Sequence, residues 1–265
     1  VNGKFDKLLH ILKKMDSAVL AYSGGVDSTL LLKAVQLSGI KALAVTAMSE
    51  TMPEHDLLYA KKFAEEIGVE HRIIKTDELD NDDFTNNPVN RCFFCKEGLF
   101  RKIKEIADKE GYRFILDGSN VDDMSDWRPG REAATRYNVS SPLVEAGLGK
   151  RDIREISKNL ALPSWDRPSS PCLASRFPYG ERITIDALRQ VADAEEFLRS
   201  FGFIEFRVRH HGNTARIELR GDDMEKLLSP QVREAITEKF RTLGYRFVSL
   251  DLEGFRSGRM NEGIR

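Results

Sequence analysis

The stretch Tyr22-Ser23-Gly24-Gly25-Val26-Asp27-Ser28 constrains this chain more than any other. The apolar run Ala18-Val19-Leu20-Ala21 leads into it, and a helix-like run from Ser28 leads out. That order predicts a strand, a glycine turn and a helix N-terminus. Two adjacent glycines can take positive φ and bring backbone N–H groups close to a ligand. The first helical turn adds N–H donors without intrahelical partners and the positive end of the helix dipole. Ser23 and Ser28 add hydroxyls. Together these features predict a phosphate cradle; the plainer alternative is an ordinary tight βα turn capped by Asp27 or Ser28. Two common phosphate motifs are excluded: no lysine follows the glycines, as G-x-x-x-x-G-K-[ST] demands, and the spacing is not G-x-G-x-x-G.

Around the cradle, strands alternate with helices. Helical spacing runs from Phe5 to Met15, and the helix after the cradle ends near Gly39. Lys41 to Ala47 reads as a buried strand and Pro53 to Gly68 as a helix with Leu57, Ala60, Phe63, Ala64 and Ile67 on one face. His71 to Lys75 and Arg113 to Asp117 read as further strands. Between them lie a polar loop from Asp80 to Arg91 and a helix from about Lys96 to Lys109. This alternation predicts an α/β fold with a doubly wound parallel sheet. Ligands of such sheets bind beyond the carboxyl ends of the strands, where strand order reverses. The Ser23 loop, the segment from Thr46 to Ser49, and Asp117-Gly118-Ser119-Asn120 are expected to open onto that crevice. A helix over Lys150 to Leu160 precedes a proline-rich segment, Ser164 to Gly180, which reads as a hinge or an ordered active-site loop. A helix over Asp186 to Phe201, a hairpin around His211-Gly212-Asn213, one or two helices broken near Pro230, and a last strand from Arg246 predict a second, smaller α+β domain. The expected domains are 1–176 and 177–265.

The 265 residues carry a net charge of −1, so no global basic field points to nucleic acid. No apolar run is long enough to span a bilayer, and no signal-peptide pattern is apparent. Three cysteines, an odd and low number, argue against a disulfide framework and for a reducing compartment, with the cytoplasm as the expected location. Cys92 and Cys95 stand two residues apart at the start of a predicted helix, and Cys172 lies in the proline-rich segment. A helix N-terminus favours thiolate, and C-x-x-C spacing lets two thiolates meet one metal, one cluster or each other. Zinc would need a fourth ligand, for which His71, His210 or His211 is available. Two half-buried structural cysteines beside Phe93 and Phe94 are the bland alternative.

Arginine concentrates near the end of the chain. Arg207 and Arg209 alternate along a predicted strand, so both guanidiniums should leave one face. Arg256 and Arg259 sit beside glycines, and Arg176 precedes Phe177-Pro178-Tyr179-Gly180. With few acids nearby in sequence, the cluster suits bidentate recognition of phosphate or carboxylate; a solvated basic face is the alternative. Glu195 and Glu218 read as metal ligands or as ordinary element charges, the latter favoured for Glu218. No hydrolase motif is visible.

The string Ser-Gly-Gly-Val-Asp-Ser resembles the PP-loop of the ATP-pyrophosphatase superfamily. The whole chain resembles the LarE family of ATP-dependent sulfur transferases. The marks are Ser23 to Ser28, Leu116-Asp-Gly118, Asp126-Trp-Arg128-Pro-Gly130, Cys172 with Ser175 to Gly180, Arg207-Val-Arg209, and Gly254 to Asn261. The resemblance implies an adenine nucleotide alpha-hydrolase-like fold and a reaction. ATP with Mg²⁺ adenylates the carboxylates of a pyridinium dicarboxylate mononucleotide, and sulfur then displaces AMP to give thiocarboxylates for the nickel-pincer nucleotide of lactate racemase. By position, Ser23, Gly24, Gly25, Asp27 and Ser28 would hold the nucleotide, joined by Thr46, Ser49, Gly118 and Arg128. Arg176, Arg207, Arg209, Arg256 and Glu195 would meet the substrate, and Cys172 matches the sulfur-donor cysteine, which in one branch gives up its own sulfur. The added pair Cys92 and Cys95 resembles the iron–sulfur branch, in which three cysteines would hold a [4Fe–4S] cluster that carries an extra sulfide. The expected partners are the small nucleotide substrate and sulfide or a sulfur-donor system. A homo-oligomer is expected, with no membrane and no nucleic acid. Sacrificial donation from Cys172, tRNA thiolation, and a non-enzymatic nucleotide-binding or metal-storage role are the alternatives.

Overall fold

The computed structural model describes residues 2–124, 129–256 and 259. Its chain divides into two units, one of Val1–Phe84 with Asn90–Ser170 and one of Thr85–Val89 with Pro171–Arg265.

The first unit is built on parallel strands. In chain order it runs α1 (Asn2–Lys13), β1 (Ser17–Ala21), α2 (Val26–Ser38), β2 (Lys41–Met48), α3 (Glu54–Ile67) and β3 (Glu70–Lys75). After the short α4 (Asp82–Thr85) come α5 (Arg91–Glu110), β4 (Phe114–Leu116), α6 (Gly130–Arg136), β5 (Val139–Ser140), α7 (Pro142–Glu145) and α8 (Lys150–Asn159). The sheet order is β3-β2-β1-β4-β5, all parallel. The chain therefore winds outward from β1 on one side, then returns to add β4 and β5 on the other. Order reverses between β1 and β4, which is where a doubly wound sheet opens a crevice.

Both faces of the sheet are covered, which explains the unbroken apolar runs of its central strands. Ala18 and Leu20 of β1 pack into one core with Leu8 and Leu12 of α1, Leu31 of α2 and Ile153 of α8. Val19, between them, points to the opposite core with Leu43, Val45, and Phe100 and Ile103 of α5. The period of two in a strand sends successive side chains to opposite faces.

The second unit runs α9 (Ile185–Ser200), β6 (Phe206–His211), β7 (Thr214–Leu219), α10 (Gly221–Leu228), α11 (Pro230–Thr242) and β8 (Phe247–Leu250). Its sheet order is β6-β7-β8, the first pair an antiparallel hairpin and the second parallel. Leu198, Phe203, Val208, Ile217 and Phe240 form its core.

Several local expectations are corrected. The fifth helix begins at Arg91, not near Lys96, and Cys92 and Cys95 lie within its opening turns. The expected polar loop from Asp80 holds the helical turn α4. Helix α6 and the edge strand β5 were not anticipated, because two residues of strand carry no readable period. Among the described residues, no helix is long and apolar enough to cross a membrane.

The fully buried Leu31 tests the central packing. Leu31→Ala is expected to destabilise the first unit by about 2–5 kcal/mol, the usual cost of a Leu-sized cavity. The shift of its urea transition measures this.

Candidate functional site

The cradle forms where the sequence places it. Helix α2 starts with Gly25 as an extended N-cap that has no side-chain cap, and its first ladder bond runs from Thr29 N–H to the Gly25 carbonyl. The N–H groups of Val26, Asp27 and Ser28 thus precede the ladder. The Ser23 and Ser28 hydroxyls lie 3.1 Å apart, and Ser28 Oγ donates to the Gly25 carbonyl at 3.2 Å. Gly24 has φ +72, and a Cβ there would lie 3.0 Å from the Ala60 backbone of α3. At the end of β4, a Cβ on Gly118 would lie 3.0 Å from the Ser28 nitrogen. Both glycines are therefore required by close backbone approach, and Gly118 is brought to the mouth of the cradle across the reversal point.

Asp27 sits at the same mouth. Its Oδ2 accepts from the Lys150 ammonium at 2.5 Å, while its buried Oδ1 has no hydrogen-bond partner. Burial pushes the Asp27 carboxyl up, and Lys150 pulls it down only in part. A half-satisfied, desolvated carboxylate is suited to a cation that arrives with the ligand.

The other nucleotide-side residues are placed less directly. Thr46 is buried beneath the cradle, donating to the Tyr22 carbonyl at 2.8 Å and meeting His71 Nε2 at 2.8 Å. Ser49 turns its hydroxyl to the buried Glu78 at 2.5 Å, which also takes Thr51. Arg128 lies outside the described residues, as do Ser257, Gly258, Met260 and Asn261 of the terminal block.

Three residues at the cradle were missed by sequence reasoning. Lys150 opens α8, where the dipole disfavours a cation, and that misfit was the available signal. Arg167 donates to the Gly24 carbonyl at 2.9 Å and to Asp56 at 2.7 Å. It stands in a segment without periodicity, and an acid such as Asp56 in a first helical turn is ordinary, so neither letter stands out.

The cysteines divide between the units, Cys92 and Cys95 in the first and Cys172 in the second. None is in a disulfide. Cys95 lines a cavity of about 440 Å³ together with Phe94, Arg101, Tyr137 and the acids Asp77 and Glu78. The N-terminus of α5 carries no side-chain cap and no acid in its first turn, so its dipole is open to thiolate. Within each unit, among the described residues, no three His, Cys, Asp or Glu side chains converge as a metal site. His71 is engaged by Thr46, and His210 Nδ1 by the Tyr245 hydroxyl at 3.1 Å; burial lowers both imidazole pKa values.

In the second unit Arg176, Arg209 and Arg259 of the expected arginines, with Arg216, line a cavity of about 220 Å³ together with Phe177, Pro178, Tyr179, His211 and Glu218; Arg207 and Arg256 are not among its lining residues. The expectation of few nearby acids is corrected, because the sheet and its following turn supply them. Arg209 forms a two-pronged pair with the fully buried Glu218 at 3.0 and 2.8 Å. Arg216, another residue missed in sequence, reaches Glu218 at 3.3 Å and Asp251 at 3.5 Å. Arg259 pairs with Asp251 and Glu253, and Arg256 with Glu253. Arg207 lies over the Phe255 ring, and burial, with Arg176 next, pushes its guanidinium down to about 10. A cation depressed in this way would gain from a nearby anion.

Arg176 and Glu195 form a buried two-pronged pair at 2.8 and 2.8 Å. The same guanidinium donates to the carbonyls of Pro171 and Cys172 at 2.7 and 3.2 Å. It thereby fixes the backbone that carries Cys172. Burial alone would raise the Glu195 carboxyl, but Arg176, the Val208 N–H and Arg207 outweigh it and hold it below the usual range.

The reversal-point crevice and its glycine cradle make this an α/β protein of the PP-loop type, with a second arginine-rich unit. The chain belongs to the family of pyridinium-3,5-bisthiocarboxylic acid mononucleotide synthase. A Lactiplantibacillus plantarum protein of that name is 37% identical over 259 residues, which cover 97% of this chain and 93% of that protein. An uncharacterised Synechocystis sp. protein is 41% identical over 262 residues, 98% of each chain. A shorter match, 31% identical over 71 residues and 26% of this chain, is to a probable tRNA sulfurtransferase of Methanobrevibacter smithii. No protein-family model matches the chain.

Two outcomes are expected. Glu195→Gln leaves Arg176 buried without its charge partner and should cost about 3–5 kcal/mol. Because the Glu195 pKa is lowered on folding, the wild-type contribution is full above the ordinary value near ~4.3 and is lost as pH falls through the folded one. The gap between wild-type and variant urea melts should therefore narrow as pH falls below ~4.3. Asp27→Asn removes a desolvated charge, so the ligand-free protein should melt at the same or a higher temperature by scanning calorimetry.

Proposed function

We propose that this chain is an ATP-dependent sulfur transferase. It converts the carboxylates of pyridinium-3,5-biscarboxylic acid mononucleotide to thiocarboxylates, the ligand set of the nickel-pincer nucleotide. The full-length likeness to the synthase of the bisthiocarboxylic product carries this reading. The cradle supports the activating half of it.

In this reading Ser23, Gly24, Gly25 and Ser28 present hydroxyl and N–H donors to the ATP phosphates. Asp27 offers its open oxygen to Mg²⁺, with Lys150 giving way or sharing the charge. Thr46 holds the Tyr22 carbonyl and so supports the strand end beneath. Gly118 keeps the opposite wall low enough for phosphate to enter. A substrate carboxylate oxygen attacks the α-phosphorus of ATP, pyrophosphate leaves, and an acyl-adenylate forms. Sulfide then adds to the acyl carbon and AMP departs. Arg207, Arg209 and Arg256 bind the substrate phosphate, with Arg216 and Arg259 completing the positive rim. Arg176, braced by Glu195, orients the Cys172 backbone.

Cys92, Cys95 and Cys172 are the thiolates that would hold a [4Fe–4S] cluster; two of them, at an uncapped helix N-terminus, suit that donor set. When bound, the cluster would supply an iron-bound sulfide as a soft nucleophile and leave the protein intact after turnover. The protein works as a homo-oligomer with an external source of sulfide. The short likeness to a probable tRNA sulfurtransferase favours a second reading, in which a carbonyl oxygen of a tRNA base is adenylated in place of the substrate carboxylate.

Anaerobic reconstitution is expected to give a brown protein with about four irons per chain. With Mg²⁺–ATP, the dicarboxylate nucleotide and added sulfide it should release AMP and pyrophosphate and form thiocarboxylate over many turnovers. Serine at Cys92, Cys95 or Cys172 should abolish colour and turnover. A colourless protein that turns over repeatedly with added sulfide would refute the cluster. Single-turnover chemistry with loss of H₂S from Cys172, read by mass spectrometry, would replace it with sacrificial donation. Thiolation of tRNA in place of the nucleotide would install the second reading.

A further inference from the structure

Helix α3 carries an acid where its inward stripe would otherwise be apolar. Asp56 is 6% exposed and lies one turn before Ala60, on the same side as Phe63, Ala64 and Ile67. Both of its oxygens are used by the proline-rich segment. Oδ1 accepts from Arg167 Nη2 at 2.7 Å, and Oδ2 accepts from the Ser170 hydroxyl at 2.6 Å. The Arg167 guanidinium lies 4.0 Å from the centre of the Tyr59 ring, stacked rather than solvated. Its other arm, Nη1, donates to the Gly24 carbonyl at 2.9 Å.

That last bond has a directional consequence. Among the described residues every peptide bond is trans, and a trans peptide points its C=O and its N–H to opposite sides. Holding the Gly24 carbonyl toward Arg167 therefore turns the Gly25 N–H the other way. That is the side of the Ser23 hydroxyl, 3.4 Å from the Gly25 nitrogen, and of Ser28. Gly24 has positive φ and no side chain to set its orientation, so left alone its two flanking peptides could rotate freely. Helix α3 removes that freedom twice. Its Ala60 backbone closes on the Gly24 Cα, and its Asp56, through Arg167, fixes the carbonyl.

We infer that Arg167, held by Asp56 and Tyr59, is the positioning residue of the cradle, aiming the Gly24–Gly25 peptide so that its N–H meets a polyphosphate. The inference rests on the reading of the cradle as the ATP site. Arg167 takes over structurally what the cradle lacks in a following lysine, but it acts through backbone direction. Its charge is already largely answered by Asp56. Since Ser170 hangs from the same carboxylate, the pair also pins residues 167 and 170, the last turn of chain before Pro171 and Cys172.

The test is calorimetric binding of Mg²⁺–ATP and of inorganic pyrophosphate to the full chain, which needs no sulfur donor. Arg167→Met and Asp56→Asn should each weaken both ligands about tenfold or more, equivalent to about 1.4 kcal/mol. Their double variant should lose no more than the worse single one, because one linkage is broken in each case. Arg167→Lys should also fail, since an ammonium cannot bridge the Gly24 carbonyl and the carboxylate in the guanidinium's fixed fork. Methylguanidinium should restore pyrophosphate binding to Arg167→Gly, which a merely misfolded variant would not allow. Binding by Arg167→Lys and Arg167→Met within about twofold of wild type overturns the inference and leaves the ATP reading standing. Additive losses in the double variant, or no rescue of a folded Arg167→Gly, overturn it too. If the wild type takes up neither ligand, the ATP reading fails and this inference falls with it.

Discussion

The approach of Gly118 to the amino end of α2 is the contact on which the rest of the first unit depends. It exists because β4 joins the sheet beside β1, on the opposite side from β2. A chain that added its fourth strand beyond β3 would leave the cradle with one wall. With β4 in place, Gly118 closes on the Ser28 backbone while Gly24 closes on Ala60 of α3, and neither side of the cradle has room for a side chain. Only backbone donors and short hydroxyls remain to line it. The fold thus excludes bulk and leaves an open helix N-terminus with free-facing backbone N–H groups, an arrangement suited to an anion.

Charge in this protein is handled by pairing rather than by excess. Asp27 meets Lys150, Asp56 meets Arg167, Glu195 meets Arg176, and Glu218 meets Arg209. In the last two pairs both partners are nearly buried, a poor bargain for stability when compared with apolar packing. What such pairs do supply is direction. A guanidinium with two arms on a carboxylate has its remaining donors aimed, and Arg176 spends one of these on the backbone of Pro171 and Cys172. Arg167, with one arm on Asp56, directs its other arm to the Gly24 carbonyl. Two arginines, one in each unit, thus fix backbone through a carboxylate brace, one at Gly24 and the other at Pro171 and Cys172.

The arginine cavity gains a narrower meaning from its acids. Four guanidiniums line it, yet Glu218 and Asp251 neutralise part of their charge and hold them in place. An anion entering there meets donors whose geometry is already fixed, so less side-chain freedom is lost on binding. Arg207 is desolvated beside the Phe255 ring, and burial, followed by its neighbour Arg176, lowers its guanidinium to about 10.

Much of this was legible in the letters. Periods of two and of 3.6 gave the strands and helices, the unbroken apolar runs required a sheet covered on both faces, and Ser23 to Ser28 marked the cradle. These features are local, set by φ preference, side-chain alternation and turn chemistry. The opening of α5 at Arg91 was missed because Cys, Phe and Asn are neutral helix formers that announce no boundary. Asp56, Lys150, Arg167 and Arg216 were missed for a different reason. Asp56, Lys150 and Arg167 matter through partners more than a hundred residues away, Arg216 through Asp251 as well as its strand neighbour Glu218, and a charged letter looks the same whether solvated or braced. Sequence by itself determined the sheet, the cradle and the kinds of chemistry available. Tertiary structure decided which charges are spent on one another and which remain to meet a ligand, because that depends on burial and pairing at distances of about 3 Å.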